Sequence, residues 1–378
     1  MSKLRVLQVF TIMDRGGAES MIMNYYRQIN KDLIQFDFLV HRPHRGVFDD
    51  EIESLGGKIY RLSPINPFSP EKYYGELRHL LLQHLNDYKI IHSHLNTFSF
   101  FPLKIAEELN IPVRIAHAHI AMDPPRITDL FPKVNIKDYL KKHVKYFLKN
   151  RITEHSTHYF SCGVKAGNWL FGQEIEFRLM NNAINTATFK YNSSLAIDYK
   201  KELNLSDDFV IGHIGRFTSQ KNHIFLINIF HELLKINPCS KLLLIGDGPL
   251  RPSVENYVNK LSLKDNVLFL GVRKDVPNLC MAMDFFVFPS LYEGLPVTLI
   301  ETQCSGLRIM ASDQITREVA LTDNIYFESI DTPASIWAEN ILSLAKYKRE
   351  DLIGEIIAQN YDIEENTFSI EKFYLESI

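Results

Sequence analysis

The chain has 378 residues, 46% of them hydrophobic, with 42 Lys and Arg against 45 Asp and Glu and a formal net charge of −3. That length suits roughly two domains, and the near-neutral balance argues against a generic nucleic-acid binder, which needs a basic excess over a whole face. Cysteines at 162, 239, 280 and 304 form no CxxC pair, which argues against a zinc site and a disulfide framework and suits a reducing cytoplasm. The start, MSKLRVLQVF, has too short an apolar run for a signal peptide, and no window reaches the ~18 apolar residues of a bilayer span. A cytoplasmic protein is expected, with any membrane role peripheral and on the inner face.

Short apolar, β-rich runs predict strands at Leu4–Phe10, 36–40, 90–94 and 113–117, then at Phe209–Ile214, 241–246, Val267–Gly271 and 285–289. Many do not alternate, as expected of strands buried on both faces. Helical candidates at 18–29, 73–85, 224–236 and 253–261 lie between them, so the chain is expected to be α/β with parallel sheets. The Asn-, Ser- and Thr-rich stretch at about 181–200 reads as a linker between two domains of similar size.

Splitting the charges at residue 185 gives about +5 for the first half and −8 for the second. Much of the basic excess lies in residues 133–151, where seven Lys or Arg stand against Asp138 alone, with Tyr139, Leu140, Val144, Phe147 and Leu148 at helical spacing. This is an amphipathic basic helix. It is either a solvated helix packed on its domain or a surface for anionic membrane.

Three segments could carry chemistry. TIMDRGGAESM places Gly16 and Gly17 between the first strand and its helix, where small residues let a ligand approach and the helix N-terminus favours an anion. It lacks GxGxxG. FVIGHIGRFTSQKNH places Arg216 and Lys221 in the loop beyond a strand end, a place suited to a diphosphate. In FFVFPSLYEGLPVTLIETQCSG a buried strand ends near Pro289, Glu293 and Gly294 lie in the loop, Pro296 suits the first helical turn, and Glu301 lies inside the helix. The N–H groups around Gly294 and Leu295 could bind phosphate oxygens.

The run from Glu293 to Glu301 resembles the EX7E motif of retaining glycosyltransferases of the GT-B fold, in the large group 1 (family 4) branch of bacterial polysaccharide assembly. The likeness extends along the chain through GGAES at 16–20, AHAH at 116–119, GRFTSQKN at 215–222, GDGPLR at 246–251, FLGVRKDV at 269–276 and PSLYEGLPVTLIE at 289–301. It implies two Rossmann-like domains facing across a cleft: an acceptor-binding domain at 1–185, a nucleotide-sugar domain at 186–360, and a final helix at 361–378 returning to the first domain. Arg216 and Lys221 would bind the donor diphosphate and Glu301 the ribose hydroxyls. Glu293 would face the transferred sugar, with the N–H groups of Gly294 and Leu295 nearby. The backbone at Gly271 and Val272 would meet the base, and Gly16 and Gly17 would line the cleft near the donor phosphates and the acceptor. One histidine of AHAH would contact the sugar: His119 is nearer the loop, and His117 fits the same pattern. One departure stands out, because the usual Asn-Gly turn at the domain junction is Asn182-Ala183 here.

The implied reaction transfers a sugar from a nucleotide-diphosphate donor, a UDP-sugar in the first instance, to a hydroxyl acceptor, a lipid-linked glycan, with retention at the anomeric carbon. No DxD motif occurs in the chain, so neither a metal nor another cofactor is expected. A nucleotide-sugar epimerase or hydrolase of the same fold, and a non-catalytic nucleotide-sugar-binding subunit, are the alternatives.

Overall fold

The computed structural model describes residues 3–122 and 136–378. The chain forms two compact units, Met1–Ala183 with Ile363–Ile378, and Ile184–Asp362. In the first, strands β1 (Leu4–Phe10), β2 (Ile34–Val40), β3 (Ile59–Arg61), β4 (Tyr88–Ser93), β5 (Val113–Ala118), β6 (His158–Ser161) and β7 (Arg178–Leu179) form one sheet in the order β3-β2-β1-β4-β5-β6-β7. In the second, β8 (Phe209–Ile214), β9 (Ser240–Ile245), β10 (Val267–Gly271), β11 (Phe285–Phe288), β12 (Ile309–Ser312) and β13 (Ile325–Glu328) follow the order β10-β9-β8-β11-β12-β13. The pairings in both sheets are parallel.

The unalternated strands have a direct physical cause. Along β1, Leu4, Val6 and Phe10 enter one apolar cluster while Leu7 and Val9 enter another. Along β11, Phe286 and Phe288 face one cluster and Phe285 and Val287 the other. Helices cover both faces of each sheet, so the central strands are dry along most of their length, with Arg5 of β1 and Lys89 of β4 the charged exceptions near their starts. In both sheets the strand order reverses at the first strand, between β1 and β4 and between β8 and β11. Loops at the carboxyl ends of those neighbours diverge and leave room for a ligand.

The stretch expected as a linker at 181–200 is corrected in its second part. Asn192 accepts hydrogen bonds from the N–H groups of Ser194 and Leu195 and caps the helix Ser193–Glu202, so the Asn and Ser residues there start a helix. The junction turn needs no glycine, because neither Asn182 nor Ala183 adopts positive φ and the Ala183 N–H donates to the Asn181 carbonyl at 2.7 Å. The C-terminal helix Ile363–Glu376 buries Ile363, Thr367, Ile370 and Tyr374 in the first unit, an i, i+4, i+7, i+11 stripe.

The basic segment forms the helix Ile136–Lys149; its first residues, 133–135, lie outside the described residues. Leu148 is buried and Val144 packs on the same cluster, whereas Leu140 and Phe147, seven residues apart, are 49% and 62% exposed. One part of the apolar stripe therefore packs on the unit and another faces out. Among the described residues no helix is long and apolar enough to cross a membrane, and none of the four cysteines is in a disulfide.

Candidate active site

The loops after β8 and β11, neighbours at the reversal of the second sheet, carry the charged groups. Lys221 ends a short helical turn after β8. Its Nζ lies 2.6 Å from Glu293 Oε1, with the two side chains only 14% and 9% exposed, and 4.4 Å from the Phe288 ring centroid. Gln220 ties the loops together: its backbone carbonyl accepts from the Leu291 N–H at 2.8 Å, and its Nε2 donates to Glu293 Oε2 at 3.0 Å and to the Tyr292 carbonyl at 2.9 Å. Both oxygens of Glu293 are thus held before any ligand arrives. Arg216 is exposed in the same loop and makes no ion pair among the described residues.

Glycines shape the floor of this edge. Gly246, at φ +133°, has a Cβ position 2.2 Å from the Gly215 carbonyl oxygen, and Gly248, at φ +157°, has one 2.7 Å from the Phe217 carbonyl oxygen. The turn after β9 is therefore pressed against the turn after β8, which only glycine permits. The Gly246 N–H donates to the Gly271 carbonyl at 2.8 Å, which joins the β10 end to the same edge. Gly271 takes φ +66°, and Val272 beside it is 56% exposed. Gly294 is different: its Cβ position has nothing within 4 Å.

Pro296 caps the helix Val297–Cys304 from an extended conformation, one residue before the helical position the sequence suggested for it. Leu295 is partly buried and packs against the core of this unit. Glu301 lies inside that helix, and burial pushes its carboxyl up to about 7. The second unit thus brings Lys221, Glu293 and Gln220 into contact, with Arg216, Gly271, Val272, Gly294, Leu295 and Glu301 on the loops and the helix that follow its strand ends.

Gly16, Gly17 and His119 belong to the first unit. Gly16 caps the helix Gly17–Gln28 at the end of the β1 loop, and Gly17 has open space where a Cβ would go. His117 is fully buried within β5, whereas His119 lies just past its end and is half-buried. Four histidines stack here: His92 and His94 at 4.4 Å between ring centroids, His92 and His117 at 5.1 Å, and His117 and His119 at 4.2 Å. Ring nitrogens of His92, His94 and His117 come within 4.8 Å of one another. Of these nitrogens only His117 Nε2 lacks a partner among the described residues; the others bond to one another, to His119, to Gln8 and to Tyr374, and stacked rings do not converge their in-plane lone pairs as metal ligands must. This is a hydrogen-bonded ladder rather than a ligand set. Burial pushes His119 down to about 3 and the other three well below the usual histidine range, so all four are neutral.

Gln220, Gln8 and Tyr374 escaped the sequence reading. A lone glutamine in the dry strand LRVLQVF was the available signal for Gln8; nothing marked the other two.

Two parallel-sheet α/β units of this topology make a GT-B glycosyltransferase fold. Anabaena HepE, solved in complex with UDP, is similar in fold with a TM-score of 0.77 at 16% identity, over 99% of this chain and 100% of that one. Residues 208–346 match the family model described as glycosyl transferases group 1. The putative glycosyltransferase EpsF of Bacillus subtilis (strain 168) is 35% identical over 99% of this chain and 97% of its own length. The capsular polysaccharide biosynthesis glycosyltransferase CapH of Staphylococcus aureus is 24% identical over 98% and 99%. The chain belongs to the group 1 glycosyltransferases.

Proposed function

We propose that this glycosyltransferase moves a sugar from a UDP-sugar to a hydroxyl of a lipid-linked glycan in cell-surface polysaccharide synthesis, with retention and without a metal. The observation that carries the reading is the desolvated Lys221–Glu293 pair beside the exposed Arg216 at the reversal point of the second sheet. Departure of a diphosphate leaves negative charge on the leaving group and positive charge on the sugar ring. Lys221 and Arg216 would stabilise the first, together with the N–H groups around Gly294 and Leu295; Glu293, held by Lys221 and Gln220, would face the second. Lys221, held in place by Glu293, and Arg216 would supply the leaving group's counter-charge without a metal clamp. Glu301 would accept the ribose hydroxyls, and the backbone at Gly271 and Val272 would meet the base.

The second unit would then hold the donor, and the first, with Gly16, Gly17 and His119, would serve the acceptor and the sugar. A double displacement needs a carboxylate nucleophile at the anomeric carbon. Glu293 is already engaged through both oxygens, which favours same-face attack with the donor phosphate helping to take the acceptor proton. UDP as the nucleotide is supported by the similarity to HepE, solved with UDP, and a polysaccharide product by the similarity to CapH. The membrane-side acceptor is supported by the outward Leu140 and Phe147 on a basic helix, the pattern of an interfacial anchor.

Incubating the purified chain with a panel of UDP-sugars and a membrane lipid extract, with EDTA present, tests this directly. The expected product is a glycolipid with the donor's anomeric configuration. An inverted linkage, a requirement for added Mg²⁺, or free sugar or an isomer formed from the donor without an acceptor would each contradict it.

A further inference from the structure

Beneath His119 lies a chain of hydrogen bonds that starts from one buried amide. Gln8 lies within β1 directly opposite His92 of β4, with no exposed surface. Its Oε1 is 2.9 Å from Nε2 of His94, and its Nε2 is 3.5 Å from the Tyr374 hydroxyl. An amide oxygen only accepts, so the single proton of the neutral His94 ring is on Nε2 and its Nδ1 is bare. His119 Nε2 is 2.9 Å from that Nδ1 and must therefore carry its own proton. The series ends at His119 Nδ1, which has no proton and no partner among the described residues.

The other side of the amide runs into the sheet. Gln8 Nε2 donates toward the Tyr374 oxygen, so the phenol hydrogen goes to His92 Nδ1 at 2.7 Å, and His92 Nε2–H donates to His117 Nδ1 at 2.9 Å. This arm ends at His117 Nε2, buried and without a partner. Reversing the amide would reverse every proton in both arms and place an N–H on His119 Nδ1. The ring itself cannot turn away, since it stacks on His117 at 4.2 Å and the His119 backbone N–H donates to Asn96 Oδ1 at 2.8 Å.

We propose that Gln8 is a positioning residue for sugar transfer: through His94 it holds His119 as the Nε2–H tautomer, so that the ring offers a bare Nδ1 that accepts a hydrogen bond from a sugar hydroxyl. This rests on the reading of His119 as the sugar contact. It adds a selectivity, because a hydroxyl at that position is matched by the acceptor nitrogen, whereas a carboxylate oxygen or a fluorine meets lone pair with lone pair. Tyr374, on the C-terminal helix, closes the other end of the amide, with its hydroxyl 3.5 Å from the Gln8 nitrogen.

The test is a long-range ¹H–¹⁵N correlation spectrum of the full chain labelled at histidine, with the His119 signals assigned by their loss in His119→Ala. Expected is a protonated Nε2 and an unprotonated Nδ1 for His119 in the parent, kept in Gln8→Glu, whose carboxyl oxygen still accepts from His94, and mixed in Gln8→Met. Turnover in Gln8→Met should fall roughly tenfold, the loss of about one hydrogen bond, with the donor KM unchanged. A protonated Nδ1 in the parent, or a Gln8→Met spectrum identical to it, would overturn the assignment, and the spectrum is readable whatever the activity. If the tautomer is as expected but His119→Ala transfers sugar at the parent rate, the sugar contact itself fails.

Discussion

Lys221 and Glu293 answer two demands with one contact, since each desolvates the other and both face the sheet reversal. Truncating one partner of such a pair strands a buried charge at a cost of about 3–5 kcal/mol; Gln at 293 also removes the counter-charge of Lys221 but keeps the shape and an acceptor oxygen for its Nζ, which limits the loss. Glu293→Gln is therefore the informative variant. Its turnover should fall by about 10²-fold or more while its melting temperature stays within a few degrees of the parent, and turnover near the parent value in a folded Glu293→Gln protein would refute the role assigned to this carboxylate. Glu301 gives a pH signature. With its folded-state value raised to about 7 from 4.5, the native chain holds a proton that the unfolded chain has lost, so stability contributed here is present at low pH and declines as pH rises from about 4.5 to 7. A carboxylate that accepts ribose hydroxyls favours the charged form, so UDP binding near pH 6.5 should release a proton. Calorimetry in two buffers of different ionisation enthalpy would then give different heats for the parent and equal heats for Glu301→Gln; equal heats for the parent would remove Glu301 from the ribose contact.

At the scale of elements, glycines that look alike in sequence do different work. Gly246 is required by packing, with φ +133° and a carbonyl oxygen 2.2 Å from its Cβ position, whereas Gly294 has empty space there. Gly246→Ala should cost about 3 kcal/mol of strain and overlap, and Gly294→Ala almost nothing in stability but most of the donor affinity. Thermal melts with and without UDP separate the two, and a Gly294→Ala protein that binds UDP as the parent does would show that the turn keeps clear of the ligand. The central strands and the loops after them were legible because dry strands cannot alternate and because helix starts carry their own residues. The strands β3, β6, β7, β12 and β13 were missed because runs of two to four residues, several only half-buried, leave too little pattern. The helix Ser193–Glu202 was missed because Asn and Ser serve equally in loops and at N-caps. Glu293 and Lys221 were readable as types in place, but their contact joins residues 72 apart, and Gln8 meets Tyr374 across 366. No local spacing records such pairings.

Across the whole molecule, the net charge of −3 hides a first half of about +5 and a second of about −8, which suits a division between an acceptor at an anionic surface and a donor held by a few local cations. The chain leaves the first unit after Ala183 and returns to it at Ile363, so the C-terminal helix, with Tyr374 against His92 and Gln8, ties the end of the sequence to the first unit's histidines. On the proposed function the second unit holds a nucleoside diphosphate through Arg216 and Lys221. Thermal unfolding of the full chain with increasing UDP tests it most directly: a ligand at about 100 times its Kd adds roughly 2.7 kcal/mol to a state that alone binds it. The parent should show a saturable rise in melting temperature that Arg216→Ala, which removes an exposed side chain with no ion pair among the described residues, largely abolishes while its melting temperature without ligand stays unchanged. No rise with UDP in the parent, or an equal rise in Arg216→Ala, would contradict the account.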